Sequence, residues 1–145
     1  MEQHEAFMRV AIEEAHIARD EGNDPVGSVI VRDGRIVARG RNLVHTTHDP
    51  SAHAEIVALR NLGAASATID FSGSVLYTTY QPCPMCCGAI LWSGITTIVL
   101  GARPVQGGRR FGQYTLEGMI AWLGWDDRVT VIDGILEAEC QLIEP

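Results

Sequence analysis

Four side chains in two short runs carry groups able to do chemistry. His53-Ala54-Glu55 sets an imidazole two residues ahead of a carboxylate, and Pro82-Cys83-Pro84-Met85-Cys86 sets two thiols three residues apart. One imidazole and two thiolates suit Zn²⁺, and three protein ligands leave the fourth position of a tetrahedral ion for a water or hydroxide. Such an ion lowers the pKa of its water from 15.7 to about 7. Glu55 is then the natural proton carrier, from the water to a ring nitrogen and on to a departing amine. The chemistry this implies is hydrolytic removal of an amino group as ammonia.

Two other uses of the cysteines stay open at this point. A redox Cys-x-x-Cys pair leaves His53 and Glu55 without a role. A closed structural zinc site needs a fourth ligand, for which Cys87, His45 and His48 are the candidates. Cys87 adjoins Cys86 and would struggle to reach the same ion; it and Cys140 read as small core residues. With three of the four cysteines inside five residues, the chain offers a poor disulfide framework.

Both runs need a helix start beneath them. Asp49-Pro50 reads as an N-cap and first helical residue, opening a helix to about Leu62, before Gly63. Pro84 likewise opens a helix from Met85 to about Trp92. The partial positive charge at a helix N-terminus favours thiolate over thiol. Residues two apart do not share a helix face, so His53 and Glu55 converge only if the site lies beyond the helix end.

The remaining elements frame these two helices. Charged and apolar residues alternate at steps of three and four over 2–20, which predicts an amphipathic helix. Val26–Arg32 and Arg35–Gly40 read as strands joined by an Asp33-Gly34 turn. Val75–Thr79, Ile95–Leu100 and Arg128–Ile132 read as further strands, with a short helix at Leu116–Leu123 and a last helix from Ile135. Gly101 to Tyr114, rich in Gly and Arg, reads as a loop. Helices and strands alternate, so the expected fold is α/β: one central sheet between helices, beginning with an antiparallel hairpin and continuing in parallel crossovers.

Composition sets the class. The 145 residues, 46% of them hydrophobic, suit one domain spanning 1–145 with a real core. The longest apolar runs are too short to span a bilayer, and the acidic start is unlike a signal peptide, so a cytoplasmic location and no membrane partner are expected. Net charge is −7 and every cation is an arginine. An acidic domain disfavours broad phosphate-driven attachment to nucleic acid, and no DNA partner is expected. Arg32, Arg35, Arg39 and Arg41 beside the hairpin, with Arg103, Arg109 and Arg110 later, read as a solvated face or, alternatively, as an RNA track.

The two-part motif and nearly the whole chain resemble the cytidine deaminase-like superfamily, whose zinc nucleobase deaminases carry His-x-Glu followed by Pro-Cys-x-x-Cys. The resemblance implies a three-layer α/β/α fold with a five-stranded mixed sheet. It also implies one Zn²⁺ held by His53, Cys83 and Cys86, Glu55 as proton shuttle, and a homodimer. His48–Ile56, Pro25-Val26-Gly27, Gly101-Ala102-Arg103 and Gly134-Ile135-Leu136 are similar to bacterial tRNA adenosine deaminases. That branch usually has Glu at the position of Gln81 and a basic C-terminal helix. Pro82–Cys86 with Gly88-Ala89-Ile90 and Trp92 resembles guanine deaminases, which usually carry acidic residues after the position of Phe111. Leu76–Thr79 and Trp92–Ile95 resemble fungal-type cytosine deaminases. Asn42 matches an Asn that contacts substrate in several of these branches; its local alternative is a turn-stabilising role.

The expected activity is therefore deamination of a free nucleobase or related heterocycle, cytosine- or guanine-like, with wobble-adenosine deamination of tRNA as the alternative. A zinc-stabilised module without activity is the third reading. Phe111, Tyr114, Trp122 and Trp125 are expected either over a flat ring or in core or dimer contacts.

Overall fold

The computed structural model describes residues 2–105 and 111–143. Helix α1 (Glu2–Asp20) is followed by strands β1 (Gly27–Arg32) and β2 (Arg35–Arg41), a short helix α2 (Val44–Thr47) and helix α3 (Ala54–Ser66). Then come β3 (Val75–Tyr80), α4 (Pro84–Trp92), β4 (Thr97–Ala102), α5 (Leu116–Trp122), β5 (Thr130–Ile132) and α6 (Glu137–Leu142). The strands form one mixed sheet in the order β2-β1-β3-β4-β5. β1 runs antiparallel to both β2 and β3, whereas β3, β4 and β5 are parallel. The hairpin turns through Asp33 and Gly34, both at positive φ, the backbone that a two-residue loop matched to strand twist requires.

Alternation along the strands sends side chains to two separate cores. Ile30, Leu76, Ile98 and Leu100 pack with Ala58 and Leu62 of α3, Ile90 of α4, and Leu116 and Ile120 of α5. Their neighbours Val29, Val31, Tyr77 and Val99 pack with Met8, Ala11, Ile12 and Ala15 of α1 and Cys140 of α6. Both faces are covered, which is why β1, β3 and β4 are buried along nearly their whole length. Three layers result, as expected. On the α3 side the fit is close. A Cβ at Gly40 of β2 would collide with the Ala54 carbonyl and with the Ala58 backbone, so helix and strand meet backbone to backbone there.

Several boundaries differ from the sequence reading. Helix α3 starts at Ala54, not at Pro50, because Asp49 does not cap it: Asp49 Oδ1 accepts the Ser51 N–H at 2.9 Å and the Ser51 hydroxyl at 2.7 Å, closing a turn of its own. At its other end α3 runs through Gly63 to Ser66, since Ala64, Ala65 and Ser66 sustain a helix, and stops where Ala67 takes a left-handed conformation. β4 begins at Thr97; Ile95 is buried ahead of the strand. β5 is cut to Thr130–Ile132, and α6 starts after Leu136. Helix α2 has no counterpart in the sequence reading. Among the described residues no helix is long and apolar enough to cross a membrane.

Candidate active site

Strands β2, β3 and β4 point the same way, and their carboxyl ends open onto one pocket of about 390 Å³. That is where open α/β sheets bind ligands. Asn42 enters from the end of β2, Tyr80 to Cys83 from the end of β3, and Pro104 from beyond β4. Asp24 and Val26 come from the segment before β1, His53 to Glu55 from the start of α3, and Phe111 and Tyr114 from the loop before α5.

His53 is the N-cap of α3, with φ −68° and ψ 156°. Its extended backbone takes it off the helix, so it and Glu55, the second helical residue, line the same cavity despite their spacing. Cys83 caps α4 in the same way, Pro84 follows as first helical residue, and Cys83 Sγ accepts the Cys86 N–H at 3.5 Å. Proline thus opens only α4; Pro50 lies in the turn ahead of α3.

The Nδ1 of His53 is 3.5 Å from the sulfur of Cys83 and 3.5 Å from that of Cys86. Tetrahedral zinc, with bonds of about 2.3 Å to sulfur and 2.0 Å to nitrogen, spaces its nitrogen and sulfur ligands about 3.5 Å apart. The donor set and its spacing fit the ion. Among the described residues these three form the one such cluster, and His45 and His48 are not in it. His45 instead docks its backbone N–H on Asn23 Oδ1, and His48 closes α2 in a left-handed conformation. Cys87 and Cys140 are buried in the two cores, as expected.

The electrostatics suit proton traffic. Glu55 is almost fully buried, and loss of solvent pushes its carboxyl up to about 7. A hydrogen bond from the Cys86 thiol holds Cys83 down to about 4, against burial, while sharing that proton pushes Cys86 up. His53 is raised by its hydrogen bond to Cys83.

Asn42 is buried, and its Oδ1 accepts the Val44 N–H at 3.0 Å. Together with Asn23, whose Oδ1 accepts the N–H groups of His45 and Thr46, it satisfies the first donors of α2. Asn42 therefore fills its local turn role and lines the pocket as well. Of the four aromatics, Phe111 and Tyr114 line the cavity, and the Tyr114 hydroxyl donates to the Pro82 carbonyl. Trp122 and Trp125 do not line it: Trp122 is 84% exposed, and Trp125 packs on the core beneath the Arg128 guanidinium.

Arg39, Arg41 and Arg103 are each engaged by carboxylates. Arg41 donates to Glu21 at 2.8 Å and 3.0 Å and reaches Glu14 at 3.5 Å; Arg39 lies 3.9 Å from Glu14. Arg103 donates to Gln81 at 2.7 Å and Glu117 at 2.9 Å, and pairs with Asp133 at 3.1 Å. Arg109 and Arg110 lie outside the described residues. Asp24, Tyr80 and Pro104 carry no local sign that they would line the pocket, since only the sheet order brings them there.

The chain matches the family described as the cytidine and deoxycytidylate deaminase zinc-binding region over residues 1–102. It is 37% identical over 140 residues to a tRNA-specific adenosine deaminase of Bacillus subtilis, covering 97% of this chain and 85% of that one. A solved structure from work on A-to-I editing by tRNA:A34 deaminases superposes with a TM-score of 0.82 at 32% identity, over 95% of this chain and 98% of the other. A guanine deaminase structure from Nitrosomonas europaea gives 0.80 at 31% identity, over 96% and 81%.

Proposed function

The chain belongs to the cytidine and deoxycytidylate deaminase family of zinc-dependent hydrolytic enzymes, and from this we propose that its substrate is a free nucleobase or a close heterocyclic analogue, cytosine- or guanine-like. The amino-bearing ring carbon gains oxygen from water, and the amino group leaves as ammonia.

The observation that carries this reading is that, among the described residues, no arginine lines the pocket. Arg41 and Arg103 adjoin the lining residues Asn42 and Pro104, yet both are held by carboxylates, and Asp24 adds a negative charge to the lining. Among the described residues such a lining offers no cation to a phosphate, and it admits a small neutral ring. Phe111, Tyr114 and Tyr80 supply apolar walls for a flat heterocycle.

His53, Cys83 and Cys86 would hold the zinc, which when bound supplies an acidified water. Glu55, poised near neutrality, takes one proton from the attacking water and hands it to the ring nitrogen, then takes the second from the hydroxyl group now on the ring carbon and delivers it to the leaving amine. The Asn42 Nδ2 group, its oxygen engaged by Val44, is left to hold the substrate edge. The aromatic walls keep bulk water from the carbon under attack.

Deamination of a wobble adenosine in tRNA is the second reading, favoured by the relatives named for that reaction. Ammonia release from cytosine, isocytosine, guanine and adenine, with an anticodon stem-loop alongside, separates the two. Turnover of a free base at rates indifferent to salt supports our reading. Turnover of the stem-loop alone, with affinity falling about 10³-fold or more between 50 and 200 mM salt, overturns it.

A further inference from the structure

Gln81 occupies the one residue of backbone between the end of β3 and Pro82, and its conformation is fixed from both ends. Its N–H donates to the Ala102 carbonyl at 2.8 Å, and the proline after it restricts it to extended backbone. Gln81 lines the pocket, and its side chain meets Arg103, whose Nη1 lies 2.7 Å from Gln81 Oε1. A guanidinium is a donor with no acceptor, so the amide atom turned toward it must be the oxygen. Arg103 is in turn clamped by Glu117 and Asp133. The amide cannot turn over without pointing its NH₂ at a fixed cation.

With Oε1 engaged, Nε2 is the side-chain polar atom of this pocket residue that is left without a hydrogen-bond partner among the described residues. Asn42, another lining residue, has the same polarity for the same reason: its oxygen is taken by the Val44 N–H. Both pocket amides thus offer N–H groups, and a substrate edge beside them must supply acceptors.

We propose that Gln81 is a specificity-determining residue that donates its Nε2–H to a ring carbonyl oxygen of the base, and that Arg103 is the positioning residue fixing that polarity. The inference rests on the free-base reading. It narrows the substrate to amino-heterocycles that also carry an oxo group, and it disfavours rings bearing hydrogen or an amino group at that edge. Glutamate at the same position would present an acceptor, with one oxygen on Arg103 and the other toward the substrate.

The test compares substrate pairs that differ by one carbonyl and each carry a single amino group: cytosine with 4-aminopyrimidine, isocytosine with 2-aminopyrimidine, and guanine with 2-aminopurine. Gln81→Glu should raise KM for the oxo member by about tenfold or more and move its partner by no more than about twofold, because only the oxo member meets the reversed polarity. Arg103→Met frees the amide to rotate and should shrink the oxo preference. Arg103→Lys, another donor without an acceptor, should restore it. Bound zinc and the unfolding midpoint report that each variant is folded, and the two positions give independent chances of a folded variant. Should Gln81→Glu weaken both members of a pair equally, or neither, or should Arg103→Met leave the preference intact, the inference is overturned while the free-base reading stands. Should no base release ammonia from the wild type, both fall together.

Discussion

Gly40 and Ala54 touch backbone to backbone: any Cβ on the glycine would strike the Ala54 carbonyl. Two residues past Gly40 stands Asn42, and on either side of Ala54 stand His53 and Glu55. This single contact therefore sets the spacing between the strand that carries the pocket amide and the helix that carries the carboxylate. Gly40→Ala forces the two elements apart and should cost about 1–3 kcal/mol. Urea unfolding measures it, and a variant as stable as the parent would refute the contact.

Glu55→Gln should bind zinc as before and lose turnover by about 10²- to 10⁴-fold, the range of a general acid–base contribution. The change keeps the shape of the buried side chain and removes its capacity to carry a proton. Metal content and initial rates of ammonia release read the two effects separately. An active variant with normal metal content would falsify the role given to Glu55.

Metal analysis should find one zinc per chain. Cys83→Ala should abolish both the metal and ammonia release, since it removes one of three ligands. Cys87→Ala should keep both and lose only packing, about 1 kcal/mol, because Cys87 faces the core beside Ile90 instead of the ion. Loss of zinc from the Cys87 variant would mean that the fourth corner is filled by protein.

Glu117 has its carboxyl held below the ordinary value of 4.5 by the hydrogen bond from Arg103. A depressed acid stabilises the fold above its ordinary pKa, and that stabilisation fades as pH falls through the lowered value. Stability should therefore decline as pH falls below 4.5, with a component that Glu117→Gln removes. Unfolding midpoints across the acid range check this, and an unchanged acid limb in the variant would count against the pair. Because the pair is partly exposed, added salt should weaken the effect.

The strands and the trio of His53, Cys83 and Cys86 were legible because each rests on a local pattern: an apolar run for the strands, a ligand spacing for the trio. Asp49-Pro50 misled because an aspartate that engages Ser51 reads in sequence like one that caps a helix. Helix α2 was not legible because side chains from outside it, Asn23 and Asn42, satisfy its first N–H groups. Gln81 drew attention only as a departure from a pattern. Its link to Arg103 depends on the parallel register that pairs Tyr80 with Ala102, and no stretch of sequence encodes that register locally.

The place of β3 in the sheet dictates an order of assembly. The β1–β2 hairpin closes across two residues and can form early. β3 must insert between that hairpin and β4, with neighbours of opposite sense on its two edges, and such non-local pairing is slow. Only this insertion carries Cys83 and Cys86 up to His53. A refolding chain should therefore acquire its hairpin before it can capture the ion, and a chelator present during renaturation should leave the earliest kinetic phase untouched.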